Sequence, residues 1–475
     1  MVGIKKNKII RDTVHGYIQI NNDELGVIDN RLFQRLLRIR QGLNNAAYPT
    51  STHTRFEHSL GVMHIGTKIL EAIIKNTSSV PCIFKEIEKE VRFACLLHDI
   101  GHAPFSHIGE LFFNKKELEN KIIPFLSNCE NNELQNTAPH ELMSALIIKK
   151  SNDLQQILSD LEIHDEFVVD MILGRTNLYI KTPLFALIQI LYSAIDADKL
   201  DYILRDNYMA GGNFASIDIP RLLNSYIYSS KRNSLQMTYN SFSAIVSFVY
   251  GRTNLYMWVV NHHRNVLNNY IHYEYIKELL ELEKKGSAIK GLPDGLKLAQ
   301  CFTCDAILNN LIDDYDIIST LKANRDLSQL TNTCYTQIFE RGNLSPIWKS
   351  GIEFDRDLKR QQSSSKRDDL NEFIQNKEKT RLISLENKLK NEISSLKEDE
   401  NRFFIFRCSD KYYEAPPIGS GARDAIYIQM RENDEDANFN ELFQGKFALT
   451  EAHYPYIYLP EDSNNRDKVK KYFIN

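Results

Sequence analysis

The sequence predicts a mainly α-helical protein, with a helical core over residues 1–290 and a smaller α+β portion over 291–475. Through the first part, apolar residues recur at three- and four-residue spacing with few Gly or Pro interruptions, the period of helices that bury one face. Near Gly291 the pattern changes, and a densely charged stretch follows. Beyond it, "NRFFIFRC" and "DAIYIQM" flank the turn-rich "APPIGSGAR", which is a strand signature.

In chain order, "KIIRDTVHGYIQI" reads as a short hairpin with Gly16 near its turn. "LFQRLLRIRQ", "RFEHSLGVMHIGTKILEAIIK", "KEIEKEVRFACLLHD", "HELMSALIIKK" and "LFALIQILYSAIDADKLDYILRD" each read as an amphipathic helix. Over about 366–400, Leu382, Leu385, Leu389 and Leu396 stand at heptad-like intervals among charges. A long exposed helix is expected there, either a solvated arm or an oligomer contact.

Bulk properties narrow the function classes. The 475 residues are 43% hydrophobic and 25% charged, ordinary for a soluble globular chain. A formal charge of -4 leaves no basic footprint, so nucleic-acid binding is not indicated. The opening "MVGIKKNKIIRDTVHGYIQI" has no long apolar core or small-residue cleavage site, and no run approaches a membrane-spanning length, so no membrane partner is expected. Seven scattered cysteines suit a reducing compartment, and a cytoplasmic location is expected. Cys301 and Cys304 form a lone CxxC without a second pair or nearby histidine, which reads as packing rather than zinc binding.

The chemistry concentrates in "LLHDIGHAPFSH", Leu96–His107, which holds three of the chain's 13 histidines and one aspartate. Buried imidazoles and carboxylates are costly unless paired, so the stretch is either a wet turn or a metal and proton-transfer site. His98 and Asp99 end an apolar helix just before Gly101 and Pro104 bend the chain, which lets both side chains face one ion. Upstream, Arg55 and His58 stand three apart on one helical face. Downstream, Asp198, Tyr202 and Asp206 form a four-spaced stripe that Lys199 joins from one edge. His58, His98, Asp99 and Asp198 make a His2Asp2 set that suits a divalent ion (Mn, Fe, Ni, Zn or Mg) with water ligands left over. Such an ion supports hydrolysis.

These residues resemble the H…HD…D pattern of the HD phosphohydrolase superfamily. The strings "RDTVHGYIQI", "LFQRLLRIRQ", "HTRFEHSLGV", "LLHDIGHAPFSH" and "IDADKLDYILRD" resemble its dNTP triphosphohydrolase (dGTPase-like) branch, from about Lys8 to about residue 290. That branch includes the metazoan enzyme that joins a SAM module to an HD domain and its bacterial counterparts. The resemblance implies an all-helical HD core and makes His58, His98, Asp99 and Asp198 the metal ligands. It implies that His102 and His107 lie beside the α-phosphate as proton-transfer or phosphate-contacting groups. His140 becomes a further catalytic histidine with Glu110 as its acidic partner. Arg55, Lys199 and Arg252 would hold the triphosphate, with Tyr202 and Asp206 at the sugar and Gln41 near its 3′-hydroxyl.

The function the resemblance implies is hydrolysis of dNTPs to deoxynucleoside and inorganic triphosphate, with Mg²⁺ on the triphosphate as well as the ion at the HD site. Such an activity depletes dNTP pools and serves nucleotide balance or phage defence. Relatives assemble as dimers, tetramers or hexamers and take a nucleotide activator at subunit junctions. Lys8 and Asp29 match that regulatory site, but its arginine falls on Leu37, and Gly42 and Val260 replace larger residues near the substrate. Two alternatives are an HD-type phosphodiesterase or nucleotidase and a noncatalytic nucleotide sensor signalling through residues 291–475.

Overall fold

A computed structural model describes residues 8–129, 133–213, 215–293, 295–340, 342–359, 381–413, 427–429, 437–438 and 449–474. The chain opens with an antiparallel hairpin of β1 (Lys8–Asp12) and β2 (Gly16–Ile20). Gly16 closes it at φ +76°, a left-handed conformation that glycine adopts without a Cβ penalty. Ile18 and Ile20 point inward while Tyr17 and Gln19 stay exposed, the alternation of a strand with one covered face.

The core is built around α1 (Arg55–Asn76), which is buried on most of its surface. Thr54 starts it, with its backbone N–H donating to the Glu57 carboxylate at 3.0 Å, and α2 (Glu88–Leu97), α3 (Pro139–Lys150), α4 (Asp165–Leu173) and α5 (Ala197–Met209) complete this part. α1 packs against both α2 and α5, while α4 lies against α2 and α3. β3 (Tyr226–Ser229) and β4 (Ser234–Thr238) form a second hairpin. α6 (Phe242–Leu255) then runs through a π-turn at Tyr256–Val260 towards α7 (His263–Lys284).

Beyond residue 290, α8 (Asp314–Ala323) and α9 (Gln329–Phe339) precede strands β5 (Leu344–Pro346), β6 (Phe404–Tyr413), β7 (Tyr427–Gln429), β8 (Ala437–Asn438) and β9 (Leu449–Pro460). β5, β9 and β6 form an antiparallel sheet in that order, and β7 joins β4 in parallel. The α+β character of the second portion is therefore present, and its strands also extend a sheet begun in the first. One apolar cluster runs from Ile18 to Phe473. Among the described residues, no helix is long and apolar enough to cross a membrane.

Three sequence expectations need correction. "LFQRLLRIRQ" is a short helix, Arg31–Gln34, followed by a 3-10 turn, Arg35–Arg38. Arg35 is fully buried there and donates to the Ile312 carbonyl at 2.6 Å and the His102 carbonyl at 2.8 Å, tertiary bonds that the local pattern does not encode. "LFALIQILYSAIDADKLDYILRD" is two helices, Leu184–Ile188 and α5, because Asp196 caps α5 by accepting the Lys199 N–H at 2.8 Å.

The third correction concerns the charged segment. Residues 366–380 lie outside the described residues, as does "APPIGSGAR". The described part forms a helix, Ile383–Glu392, and a 3-10 turn, Ser394–Asp399. Leu382, Leu385, Leu389 and Leu396 are at most 2% exposed and belong to the chain's own core, so they form neither a solvated arm nor an oligomer seam. Arg381 anchors this segment by donating to Glu386 at 2.8 Å and to Glu274 of α7 at 3.0 Å.

Candidate active site

α1, the end of α2 and the start of α5 bring the predicted ligands together. Ligand atoms of His58, His98 and Asp198 all lie within 4.8 Å of one another. Asp99 approaches from the other side, 3.3 Å from His98 Nε2 and 3.5 Å from His58 Nε2. The His98 Nδ1–H donates to the Cys95 carbonyl at 2.8 Å, which leaves Nε2 to face the group. Both Nε2 atoms are buried and face the same carboxylate oxygen, His58 Nε2 at 3.0 Å and His98 Nε2 at 3.8 Å from Asp198 Oδ1. Two buried imidazole nitrogens converging with two carboxylates fit a divalent transition ion.

The electrostatics agree. Burial alone would depress the His58 imidazolium, but hydrogen bonds to Asp198 and Asp201 and the Asp99 charge outweigh it and lift it to about 10. Burial pushes the Asp99 carboxyl up, yet Arg55, His98 and His102 hold it well below the usual range. Asp198 is likewise held low by His58 and His98 against burial. Negative charge thus stands ready where a cation would sit.

Behind His58 lies a buried relay. His58 Nδ1 donates to Asp201 at 2.7 Å, and the same carboxylate accepts from Arg205 at 2.9 and 3.0 Å and from His15 at 2.5 Å. Arg205 also donates to Asp12 at 2.7 Å. The hairpin "RDTVHGYI" therefore holds His58, a candidate metal ligand, through Asp201 and Arg205. Gly61 permits this, since a Cβ there would lie 1.9 Å from Asp201 Oδ1. Gly101 plays the matching part under His98–Asp99: a Cβ would lie 2.3 Å from the Ser144 backbone nitrogen of α3.

A second group adjoins the first. His102, His107, Glu110 and His140 have ligand-type atoms within 4.8 Å of one another. His102 is fully buried between Asp99, 3.1 Å away, and Glu110. His140 Nδ1 lies 3.0 Å from Glu110 and its ring stacks on His102 at 4.1 Å, while the His107 side chain is 68% exposed. Burial pushes His102 down to about 4, so it is neutral. Burial also opposes charge on His140, but Glu110 outweighs it and lifts the ring to about 9.

Both groups border a cavity of about 460 Å³. Gln41, Arg55, Asp99, His107, His140, Asp198, Lys199, Tyr202, Asp206 and Arg252 line it, and His58, His98, His102 and Glu110 do not. Arg55 donates to Asp99 at 2.6 Å, Lys199 to Asp196 at 2.5 Å, and Arg252 Nε to the Tyr202 hydroxyl at 3.2 Å. Gln41 Oε1 is a buried acceptor without a partner. Gly42 and Val260 also line the wall.

Residues 55–203 match the HD domain family. This chain carries an HD domain. Its match to a curated uncharacterized protein of Methanocaldococcus jannaschii is 32% identical over 278 residues, covering 58% of this chain and 50% of that protein. A deoxynucleoside triphosphate triphosphohydrolase SAMHD1 homolog of Dictyostelium discoideum is 29% identical over 217 residues, 44% of this chain and 37% of that protein. The matched segment thus spans half or less of these two relatives. A crystal structure of a hypothetical protein from Aquifex aeolicus has the same fold, with TM-score 0.65 at 20% identity over 98% of this chain and 99% of that one. That likeness extends the shared architecture well beyond the HD domain.

Four residues that support the HD domain's site escaped the sequence reading. Asp12, His15, Asp201 and Arg205 form the relay just described. His53, which the sequence reading likewise gave no role, lies 2.7 Å from Asp206 through Nε2 and so orients a cavity carboxylate. The available signal was the spacing of Asp201 and Arg205 on α5, one turn apart beside Asp198.

Proposed function

We propose that this protein is a metal-dependent hydrolase that cleaves dNTPs to deoxynucleoside and inorganic triphosphate. One observation carries the reading: a His2Asp2 group opens onto a cavity whose wall also holds Arg55, Lys199 and Arg252 beside Tyr202, Asp206 and Gln41. The triphosphohydrolase name of the Dictyostelium relative supports it.

His58, His98, Asp99 and Asp198 would hold the ion, and Mg²⁺ would accompany the triphosphate. A divalent ion there supplies a Lewis acid for the phosphoryl group and makes water acidic enough to act near neutral pH. A triphosphate carries about four negative charges, and Arg55, Lys199, Arg252 and the protonated His140 answer them from the cavity wall. His107, exposed to the cavity, gives its proton to the departing 5′-oxygen and recovers it from solvent. Glu110 orients His107 and His140, and His102 links Glu110 to Asp99. Tyr202 packs beneath the sugar where a 2′-hydroxyl would project, Asp206 bonds the sugar, and Gln41 Oε1 accepts from the 3′-hydroxyl. Homo-oligomerisation and nucleotide activation belong to the same proposal, by likeness to the family.

The test is incubation with Mg²⁺ or Mn²⁺ and each dNTP, alone and in mixtures, with products separated by ion-pair chromatography. Deoxynucleoside with intact triphosphate, lost in His98→Ala and Asp198→Ala, is expected. Monophosphate and pyrophosphate would replace this reading with another HD chemistry. Binding without product in every mixture would favour a sensor.

A further inference from the structure

The backbone just before His107 is strained. Phe105 has φ +60°, and Ser106 has φ +51° with ψ −124°. Neither residue is glycine, and side-chain-bearing residues hold such conformations only where their surroundings over-determine them. The surroundings are specific here. The Phe105 N–H donates to Asp314 Oδ1 at 2.7 Å, and the Arg40 N–H donates to Oδ2 of the same carboxylate at 3.0 Å. Ser106 Oγ donates to the Arg40 carbonyl at 2.5 Å and accepts from Arg55 Nε at 3.0 Å. The Phe105 ring lies edge-on to His272 of α7, with centroids 5.0 Å apart.

Asp314 is the first residue of α8, in the portion beyond residue 290. It is 2% exposed and does not line the cavity. Its two oxygens join two pieces of the cavity wall: the loop that delivers His107 and the segment that carries Gln41. Its neighbour Asp313 has a different task. Asp313 caps α8 by accepting the Tyr315 N–H at 2.9 Å and pairs with Arg38. Asp313 caps the helix and holds the Arg38 side chain, whereas Asp314 bonds the backbone at Phe105 and Arg40.

We propose that Asp314 is a positioning residue, whose carboxylate fixes the Phe105–Ser106 turn in the left-handed conformation that aims His107 into the cavity beside Glu110 and His140. This rests on the reading of His107 as the proton donor. Asp314 touches no substrate and acts only through the backbone it holds. An amide at this position keeps the size but cannot accept both N–H groups, so the turn relaxes and His107 swings off its line.

The test compares Asp314→Asn with Asp313→Asn in the full chain. Asp314→Asn is expected to lower kcat by about 10- to 100-fold, the scale of a displacement near 1 Å, with KM and bound metal unchanged. Asp313→Asn is expected to lower Tm while keeping kcat. If Asp314→Asn will not fold, Asp314→Ser, which accepts one N–H, decides in the same way. An unchanged kcat in the Asp314 variant, or equal losses in the two variants that track Tm, would overturn the proposal. A readout free of turnover separates its failure from that of the hydrolase reading. In protein with carbon-13-labelled histidine, the His107 Cε1–H resonance, assigned by its absence in His107→Gln, should shift in the Asp314 variant and stay in place in Asp313→Asn. No shift in the Asp314 variant would sink the positioning role even if no substrate is ever turned over.

Discussion

Replacing Asp201 by Asn probes how much of the metal affinity comes from behind the ligand. Asp201 Oδ2 accepts from His58 Nδ1 at 2.7 Å and Arg205 Nε at 2.9 Å, and Oδ1 accepts from His15 at 2.5 Å and Arg205 Nη2 at 3.0 Å. An amide can keep only one of these two acceptor pairs. With its NH2 towards His58, the imidazole must accept at Nδ1 and carry its proton on Nε2, where the ion should bind. With its NH2 towards His15, His58 keeps the right tautomer but faces a neutral, weaker acceptor. Losing such an orienting carboxylate weakens metal binding by about 10- to 100-fold, or about 1.4–2.7 kcal/mol. Arg205 retains Asp12 at 2.7 Å, so its charge stays paired. The folding cost should therefore be about 1–3 kcal/mol, that of an imperfectly satisfied buried donor, rather than that of an abandoned charge. Chelator competition titrations give the affinity, and thermal melts of the metal-free protein give the stability. Wild-type affinity in the Asn variant would refute the view that the hairpin and α5 tune the ion through His58.

Gly61→Ala puts a methyl group 1.9 Å from Asp201 Oδ1, so the Asp201 and Arg205 side chains must shift; a loss of about 1–3 kcal/mol is expected in melts, together with reduced metal content. In the metal-free protein His58 is lifted from 6.5 to about 10, so the stability it contributes is fully present below about pH 6.5 and is lost as pH rises through about 10. Metal requires the neutral ring, so binding at pH 8 should release about one proton, measurable by calorimetry in buffers of different ionisation enthalpy. Tyr202→Ala removes the ring proposed to exclude a 2′-hydroxyl, and ribonucleotide turnover relative to dNTP should rise by about 10-fold or more in competition assays. An unchanged ratio would move discrimination elsewhere.

Helix existence was legible wherever a long amphipathic period dominated, as in Arg55–Asn76, and the grouping of His58, His98, Asp99 and Asp198 was legible because they stand on such helices or at their ends. The breaks were not. Arg35 turns inward to carbonyls at His102 and Ile312, and Asp196 restarts a helix in an otherwise continuous apolar run. The leucines at 382–396 carry a spacing that fits an exposed seam as well as a core face, and only tertiary packing decides between them. The supporting residues were hidden for a related reason. Asp12, His15 and Asp314 act through partners far along the chain, and a polar residue in a turn or at a helix start has an adequate local explanation already.

The pairing of Arg35 and the loop before His107 with residues 312–314 has a consequence for the nascent chain. Synthesis delivers the hairpin first, then His58, His98 and Asp99, then Asp198 and Asp201, and the HD match is complete by residue 203. A chain halted there has every proposed ligand, yet Arg35 lacks the Ile312 carbonyl and Phe105 lacks Asp314. If the turn before His107 needs that carboxylate, the halted chain carries the proposed ligands without the contacts that place His107. On the proposed reading, activity would then begin only when more than a hundred further residues have emerged, and a prematurely terminated product would lack it.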